Sequence, residues 1–581
     1  MATTLIKSGR VFTGNANQKA VIQDILIQNK KIVQISENIT ANNGTHIIDA
    51  AGKWVVPGFI DCHTHYDGEL LASPGIEESA RHGVTTIMLG SCSISAIYNN
   101  AEDTADCFTR VEAVPREHLL PILQRIKTWE NPAEWKTHIE GLPLGVNVAS
   151  FIGHSDIRSR VMGIERSLSH QETATKAEQH RMNDLLNESL DAGFIGLSTM
   201  DNPWDKMDGE RYWSHKTPSF YGSWKERRIL LNTLRERGAV LQGAPNLVTR
   251  INALRYMYES TGVFKKPLKT TLITLIDLIA DRWICPLVAF GGQVINRMLG
   301  ADFRMQSLPV PFTVYYDGVD SVMFEEFPSG EAMRHLAKNL EERNTMIKDA
   351  AFRKTFKGEI KKRFAPKVWH RDLGMAFIIE CPDKSLIGKN FYEISEMQNK
   401  HPVDTFLDLI VEYDKQIRWT TTLANDREQQ FKWLYNYPFS VIGFSDAGAH
   451  LNNMAFYNFP LKMIKNVYYS IQNNTPIMSM EKCIWRLTGE HADWFGLDCG
   501  YIAEGKTADL NILNPNHFDN ITENVEMAQM KGFGNYMRLV NRNEGVVSQV
   551  MVGGEVIFEN EEFVAGFGES KKYGRFLAHQ N

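Results

Sequence analysis

The chain has 581 residues, with 63 Lys and Arg against 69 Asp and Glu, a formal net charge of −6 with histidine neutral. With 43% apolar and 23% charged residues, it is too apolar for disorder and ordinary for a globular protein. The mild acidity argues against nucleic acid as a partner, because phosphate binding leans on clustered Lys and Arg. The start, MATTLIKSGRVF, has no long apolar stretch and reads as no signal peptide. Cys62, Cys92, Cys107, Cys285, Cys381, Cys483 and Cys499 are odd in number and scattered. They form no disulfide framework, so a reducing cytoplasm is the expected location.

In chain order, the first 58 residues read as β. TLIKSGRVF, DILIQNKKIVQI and HIIDAAGKWVV are rich in Ile and Val, with Gly and Asn punctuation between them. The middle alternates short apolar runs with amphipathic stretches, as parallel sheets do. Strands are expected at VVPGFID (55–61), TTIMLG (85–90), GVNVASFIG (145–153), GFIGLST (193–199), AVLQGA (239–244), LKTTLITL (268–275), FRMQSLP (303–309) and SVIGFSD (440–446). HRMNDLLNESLDAG and WKERRILLNTLRERG read as helices between them. Eight such units predict an α/β fold, a (β/α)8 TIM-like barrel, over 59–495.

The most apolar segment, TLITLIDLIADRWICPLVAF, carries Asp277, Asp281 and Arg282, and reads as a buried strand plus helix rather than a membrane span. The 310–439 segment is too long for one connection and is expected as a largely helical insertion capping the barrel mouth. Its basic stretch, Lys357 to Lys367, reads as a solvated helix face. At the C-terminal end, GVVSQVMVGGEVIFENEEFVAG reads as a hairpin around Gly553 and Gly554. The two β-rich ends, 1–58 and 496–581, are expected to meet in one small β-sandwich domain.

Chemistry-bearing residues cluster where expected strands end. In GFIDCHTHYD, His63 and His65 sit two apart in extended chain, so both imidazoles face the same way, toward one ion at the barrel mouth. Cys62 faces away from both. Cys92, in LGSCSIS, follows the second strand, where a thiolate binds zinc. Asp446, in FSDAGAH, follows the last strand; its carboxylate suits both metal ligation and proton transfer from water. His154, His215 and His450 are open between metal ligand, substrate contact and ordinary loop histidine. Arg158, Lys206 and Arg211 are candidates for holding a substrate carboxylate. Trp204, Tyr212 and Trp213 either line an acyl pocket or pack on the cap.

VVPGFIDCHTHYD, GSCS, GFIGLST, FSDAGAH and the tail GYIAEGKTADLNIL…VMVGGEVIFEN resemble the amidohydrolase superfamily, and within it the D-aminoacylase (N-acyl-D-amino-acid deacylase) branch. The resemblance spans about 1–200 and 440–581 and is thin from roughly 250 to 440. It implies a metal-bearing barrel with a small β-sandwich from both termini. It also implies Zn2+, one ion or two, with another divalent metal as an option. His63, His65, Cys92 and Asp446 match its ligands, and Asp446 also its proton shuttle. His154 and Arg158 match its GH-x-x-x-R element. Two further histidine ligands on middle strands have no counterpart at LQGAPN. His215 stands as the candidate replacement for one of them, and no carboxylated-lysine motif is evident. The expected activity is hydrolysis of a carbon–nitrogen bond in a small-molecule N-acyl-(D-)amino acid. A cyclic-amide hydrolase or aminohydrolase, and a non-catalytic scaffold, stand as alternatives. No membrane partner is expected, and a homo-oligomer is left open.

Overall fold

The computed structural model describes residues 3–110, 112–247, 251–362 and 366–580. Strands from both ends of the chain hydrogen-bond into one nine-stranded mixed sheet. Within it, Trp54–Pro57 pairs antiparallel with Leu510–Leu513, so the two termini meet strand to strand. The first strand of this sheet, Thr3–Val11, has His46–Asp49 and then Trp54–Val55 beside it, with its register to Val21–Gln28 shifting at a bulge between Ile6 and Gly9. The hairpin Val547–Val552/Glu555–Glu559 turns on Gly553 and Gly554, both at positive φ, as a two-residue loop demands.

The run 55–61 does not form one strand. Gly58 donates to Asp509 O (2.9 Å), leaving Trp54–Pro57 in the terminal sheet and Phe59–Asp61 in the next one. From there the strands run parallel: Phe59–Asp61, Val84–Leu89 and Asn147–Ser150 in one arc. Ile152–Gly153, Gly196–Met200, Val240–Ala244, Thr270–Leu272, Phe303–Ser307 and Ser440–Ile442 form the second. The third strand is interrupted only at Phe151, and Ile195 N donates to Ser150 O (2.8 Å) across the two arcs. At the other junction Cys62 N donates to Gly443 O (3.1 Å), and Thr64 bridges Ala447 in parallel. This is a TIM-barrel type of arrangement with a small β domain attached. Ile60, Met88, Ala149, Phe151, Val240 and Val441 pack with Phe495 and Leu497, filling its interior with side chains.

The connecting helices follow their sequence signals. Lys176–Asp191 starts on a Thr175/Glu178 capping box and buries Met182, Leu185, Leu186 and Leu190 at helical spacing. Trp224–Glu236 is capped by Ser223 and runs out at Gly238, which has positive φ.

The insertion is largely helical and also carries a small sheet that the helical expectation left out. The helix Pro402–Tyr413 packs through Phe406 on a three-stranded antiparallel sheet of Phe312–Asp317, Arg418–Ala424 and Phe377–Glu380, and Ala350–Ile360 packs in turn on that helix through Phe356. The reason is an aromatic core that needs a flat face to pack on. Tyr316 and Trp419, paired across two strands, stack at 4.1 Å, with Phe324, Phe391 and Phe406 around them. Of the basic stretch, Lys357–Ile360 lies in the helix Ala350–Ile360, and residues 363–365 lie outside the described residues.

Candidate functional site

The strand ends at one mouth of the ring carry the site. His63 and His65 follow the first strand with ring centroids 5.2 Å apart. Their backbone is held by the turn after the eighth strand: Asp446 N donates to His63 O (3.2 Å) and His65 N to Ala447 O (2.7 Å). Gly448, at φ +89°, permits this approach, because a Cβ there would lie 2.7 Å from the His65 carbonyl carbon. Asp61 braces the same junction, accepting from His63 N (3.3 Å) and from the Ser445 hydroxyl. Cys92, Ser93, Asp446 and His450 all adopt positive φ, a strained conformation for non-glycine residues that clusters at functional sites.

The side chains converge. His63 Nε2 lies 3.4 Å from Cys92 Sγ and 3.5 Å from Asp446 Oδ1. His65 Nε2 lies 3.1 Å from Asp446 Oδ1 and 3.5 Å from Glu112 Oε2. His450 Nε2 stands 3.7 Å from Asp446 Oδ2. Two overlapping donor sets result, His63/His65/Cys92 and His65/Glu112/Asp446, with the ligand atoms of each set within 4.8 Å of one another. Gln306 Oε1 accepts from His63 Nδ1 (2.7 Å), which fixes the tautomer that leaves Nε2 facing the cluster. Cys62, as expected, faces elsewhere and gives its thiol to Gly443 O (2.9 Å).

The electrostatics call for a cation. Burial pushes His63 down to about 4. Burial also works against protonating His65, yet the Glu112 and Asp446 carboxylates outweigh it and hold His65 up at about 9. Burial pushes Glu112 up to about 7, and Asp205 well above the carboxylate range. Burial would raise Asp446 too, but the close approach of His65 holds it below the usual range. Burial pushes the Cys92 thiol far up, so a thiolate there needs a cation beside it. Buried His65 Nδ1 has no hydrogen-bond partner, and Nε2 lies between the Asp446 (3.1 Å) and Glu112 (3.5 Å) carboxylates. Imidazole, thiol and carboxylate donors converging on one point fit a divalent ion, and this mixture suits zinc.

The site opens into a cavity of about 680 Å3. His63, Glu112, Asp205, Asp446 and His450 form its polar end. Most of the wall is apolar, including Trp204, Met305, Phe312 and Met323, and the last two come from the insertion. Trp204 therefore lines the cavity, whereas Trp213 packs on the cap: its Nε1 donates to His335 O (2.8 Å) and Lys338 Nζ sits 4.0 Å over its ring.

Five residues read as candidates stand elsewhere. His215 is exposed at the surface, because its loop turns outward with Tyr212. His154 is buried against Thr199 Oγ1 (3.0 Å) and Glu226 (3.4 Å). Arg158 is spent on Glu226 (3.0 Å) and the Ser167 carbonyl, which makes it a brace between helices. Lys206 and Arg211 are paired, with Glu325 and Glu331 and with Asp103 and Asp106 respectively. Two site residues escaped the sequence reading. Glu112 arrives on the turn after the helix Ala101–Thr109, where its carbonyl accepts from His450 N (2.5 Å). Asp205 comes from the loop after the fourth strand. Neither sits at a motif or strand end, so no spacing marks them.

A family model described as the amidohydrolase family matches residues 46–203, the segment that carries His63, His65, Cys92 and Glu112. An uncharacterized protein of Mycobacterium tuberculosis is 42% identical over 582 residues, covering 99% of this chain and 95% of its own. An N-acyl-D-aspartate deacylase of Alcaligenes xylosoxydans xylosoxydans is 35% identical over 177 residues, 30% of this chain and 32% of its own. Among solved structures, the N-acyl-D-glutamate deacylase from Bordetella bronchiseptica, complexed with zinc and a phosphonate inhibitor, superposes with a TM-score of 0.64 at 18% identity, covering 99% of each chain. A D-aminoacylase described as having a binuclear metal centre gives 0.61 at 17%, again over 99% of each. At such identities the likeness establishes the shared fold. Together with the full-length relative and the model laid over the His-x-His segment, it means that this chain belongs to the amidohydrolase family.

Proposed function

We propose that this hydrolase uses a single divalent metal, zinc by its donor set, to deacylate an N-acyl amino acid at the mouth of a (β/α)8 barrel. The observation that carries the reading is the convergence of His63, His65, Cys92, Glu112 and Asp446 at the polar part of a largely apolar cavity. One ion is preferred over two because both donor sets share His65. The ends of the fourth, fifth and sixth strands carry Met200, Ala244 and Ile273, which cluster around Cys92 and offer no ligand.

His63 and His65, with Cys92, Asp446 and Glu112, would hold the ion. When bound it supplies an electrophile that lowers the pKa of water toward about 7. Gln306 keeps His63 in the tautomer that presents Nε2. Asp446 takes the proton of the attacking water. As the water oxygen bonds to the acyl carbon and the C–N bond breaks, Asp446 passes that proton to the leaving amine. His450, behind Asp446, orients its second oxygen. The apolar wall excludes bulk water and favours an acyl chain over a polar ring, which sets the deacylase reading ahead of a cyclic-amide hydrolase. A scaffold would need none of the five donors.

Lys367, contributed by the insertion, is the lysine or arginine that lines the cavity among the described residues, and takes the role of holding the substrate carboxylate. The deciding experiment is elemental analysis of protein purified without chelator, with a panel of N-acyl-D- and N-acyl-L-amino acids. One equivalent of metal, lost in His63→Ala/His65→Ala, with amine release from an N-acyl compound, is the expected result. No metal uptake on adding zinc would remove the electrophile and give the fold to the scaffold reading.

A further inference from the structure

The cavity does not end at the metal-type cluster. Ala253, Met257, Leu272, Leu275, Ile284 and Val288 extend its wall outward between two helices, Ile251–Ser260 and Ile284–Met298. Met257 packs beside Gly291 of the second helix, which brings the two side by side. Their outer faces remain apolar. Trp283 is 83% exposed, Met298 75%, Leu287 and Phe290 66%, Leu254 65% and Tyr258 63%. On the second helix Trp283, Leu287, Phe290 and Met298 recur at helical spacing and share one face. Leu254, Leu287 and Phe290 belong to both the exposed face and the cavity wall, so the inner and outer apolar surfaces are continuous.

A monomer in water hides such a surface, and a large exposed one marks an interaction site. Its charges specify the partner. Among the described residues from 252 to 300, the exposed charged side chains are Arg255, Lys266 and Arg297, all basic. Of the acids nearby, Glu259 is buried against Arg235 and Lys265, Asp277 is buried against Arg282 and Arg427, and half-buried Asp281 accepts from Trp283 N (3.3 Å). Large apolar side chains rimmed by cations and free of exposed acids suit the interface of an anionic lipid layer. No helix among the described residues is long and apolar enough to cross a membrane, so the contact is one that rests on the layer.

We propose that the enzyme rests these two helices on an anionic lipid surface and draws from it an amide carrying a long, fatty acyl chain, which fills the cavity down to the metal cluster. This deepens the deacylase reading and rests on it. Hydrolysis then adds water across the C–N bond, releasing a fatty carboxylate and the amine of an amino acid.

Two binding arms, neither needing turnover, test it on the full-length protein. In the first, N-acetyl-, N-octanoyl- and N-hexadecanoyl-amino acids compete for a fluorescent fatty-acid probe. Affinity should rise at least ~10²-fold from the shortest to the longest, since each buried methylene is worth severalfold. Ala253→Trp, which narrows the wall, should abolish the gain for the longest chain. In the second, the protein is sedimented with phosphatidylglycerol or phosphatidylcholine vesicles. It should pellet with the anionic vesicles and less with the neutral ones. Tyr258→Ser/Trp283→Ser/Met298→Ser should stay in solution with its melting temperature and metal content kept. Affinity independent of chain length, or no vesicle binding, overturns the proposal. So does a wild-type dimer that the triple variant breaks without vesicle binding, which assigns the face to a second copy. Chain-length-dependent binding with no hydrolysis of any N-acyl compound would instead sink the deacylase reading and leave this cavity assignment standing.

Discussion

The two sides of the ring mouth share a backbone plan and differ in chemistry. Where the first, second and eighth strands end, the chain places His63, His65, Cys92 and Asp446, and the neighbouring turn adds Glu112. Where the fourth to sixth strands end, it places Met200, Ala244 and Ile273, and the sixth strand's approach to the cavity is Leu272. A strand end is thus a position, and the side chain there decides whether it becomes a ligand or a wall. Here one side gathers donors for a cation and the other excludes water from the same space. This division is what a reaction between an activated water and an apolar acyl group requires.

The comparison breaks most visibly at Asp446. Asp446→Asn keeps the shape of the polar side but removes the proton acceptor, so turnover should fall at least ~10²-fold while most metal is retained. Steady-state kinetics beside metal analysis would check this, and near wild-type turnover would remove Asp446 from its role. Gln306 probes how far the polar side depends on its support. Gln306→Leu frees the His63 tautomer and should weaken metal affinity about 10- to 100-fold, read by chelator competition. Unchanged affinity would mean that the 2.7 Å contact does not orient His63. Lys367 tests the one lysine or arginine side chain on the cavity wall among the described residues. Lys367→Met should raise KM for N-acyl amino acids about 10-fold with kcat little changed, because a contact made equally to substrate and transition state is lost. A kcat defect instead would place Lys367 in the chemistry. The smallest effect belongs to the apolar side. Met200→Leu is close to volume-conserving and should cost less than ~1.5 kcal/mol of stability with metal content unchanged. Loss of metal in that variant would mean that the two sides are not separable.

Much of the polar side was legible in sequence, for a local reason. His63 and His65 share one extended segment whose period of two makes them face together, and Cys92 and Asp446 immediately follow apolar runs that end as strands. The histidines beyond such positions stayed open in sequence. His154 also follows a strand but opens the helix His154–Met162, which turns it toward Thr199 and Glu226. His215 lies in a loop whose direction depends on Tyr212 and on Lys216 bridging Lys206. The basic candidates Arg158, Lys206 and Arg211 were already claimed by acids far away in sequence. The insertion's strand Phe377–Glu380 was hidden because its partner, Arg418–Ala424, lies some forty residues on.

Sequence alone determined the alternation that builds the parallel strands, the joining of the two β-rich ends, and the four donors at strand ends. All of these are set by short-range periodicity and by the geometry of a strand terminus. Only the tertiary structure decided that Glu112 joins His65 and Asp446, that the insertion walls a cavity of about 680 Å3, and that two helices present apolar faces outward beside it. These depend on which distant segments pack together, and a side chain's neighbours across the fold leave no trace in the spacing of its own segment.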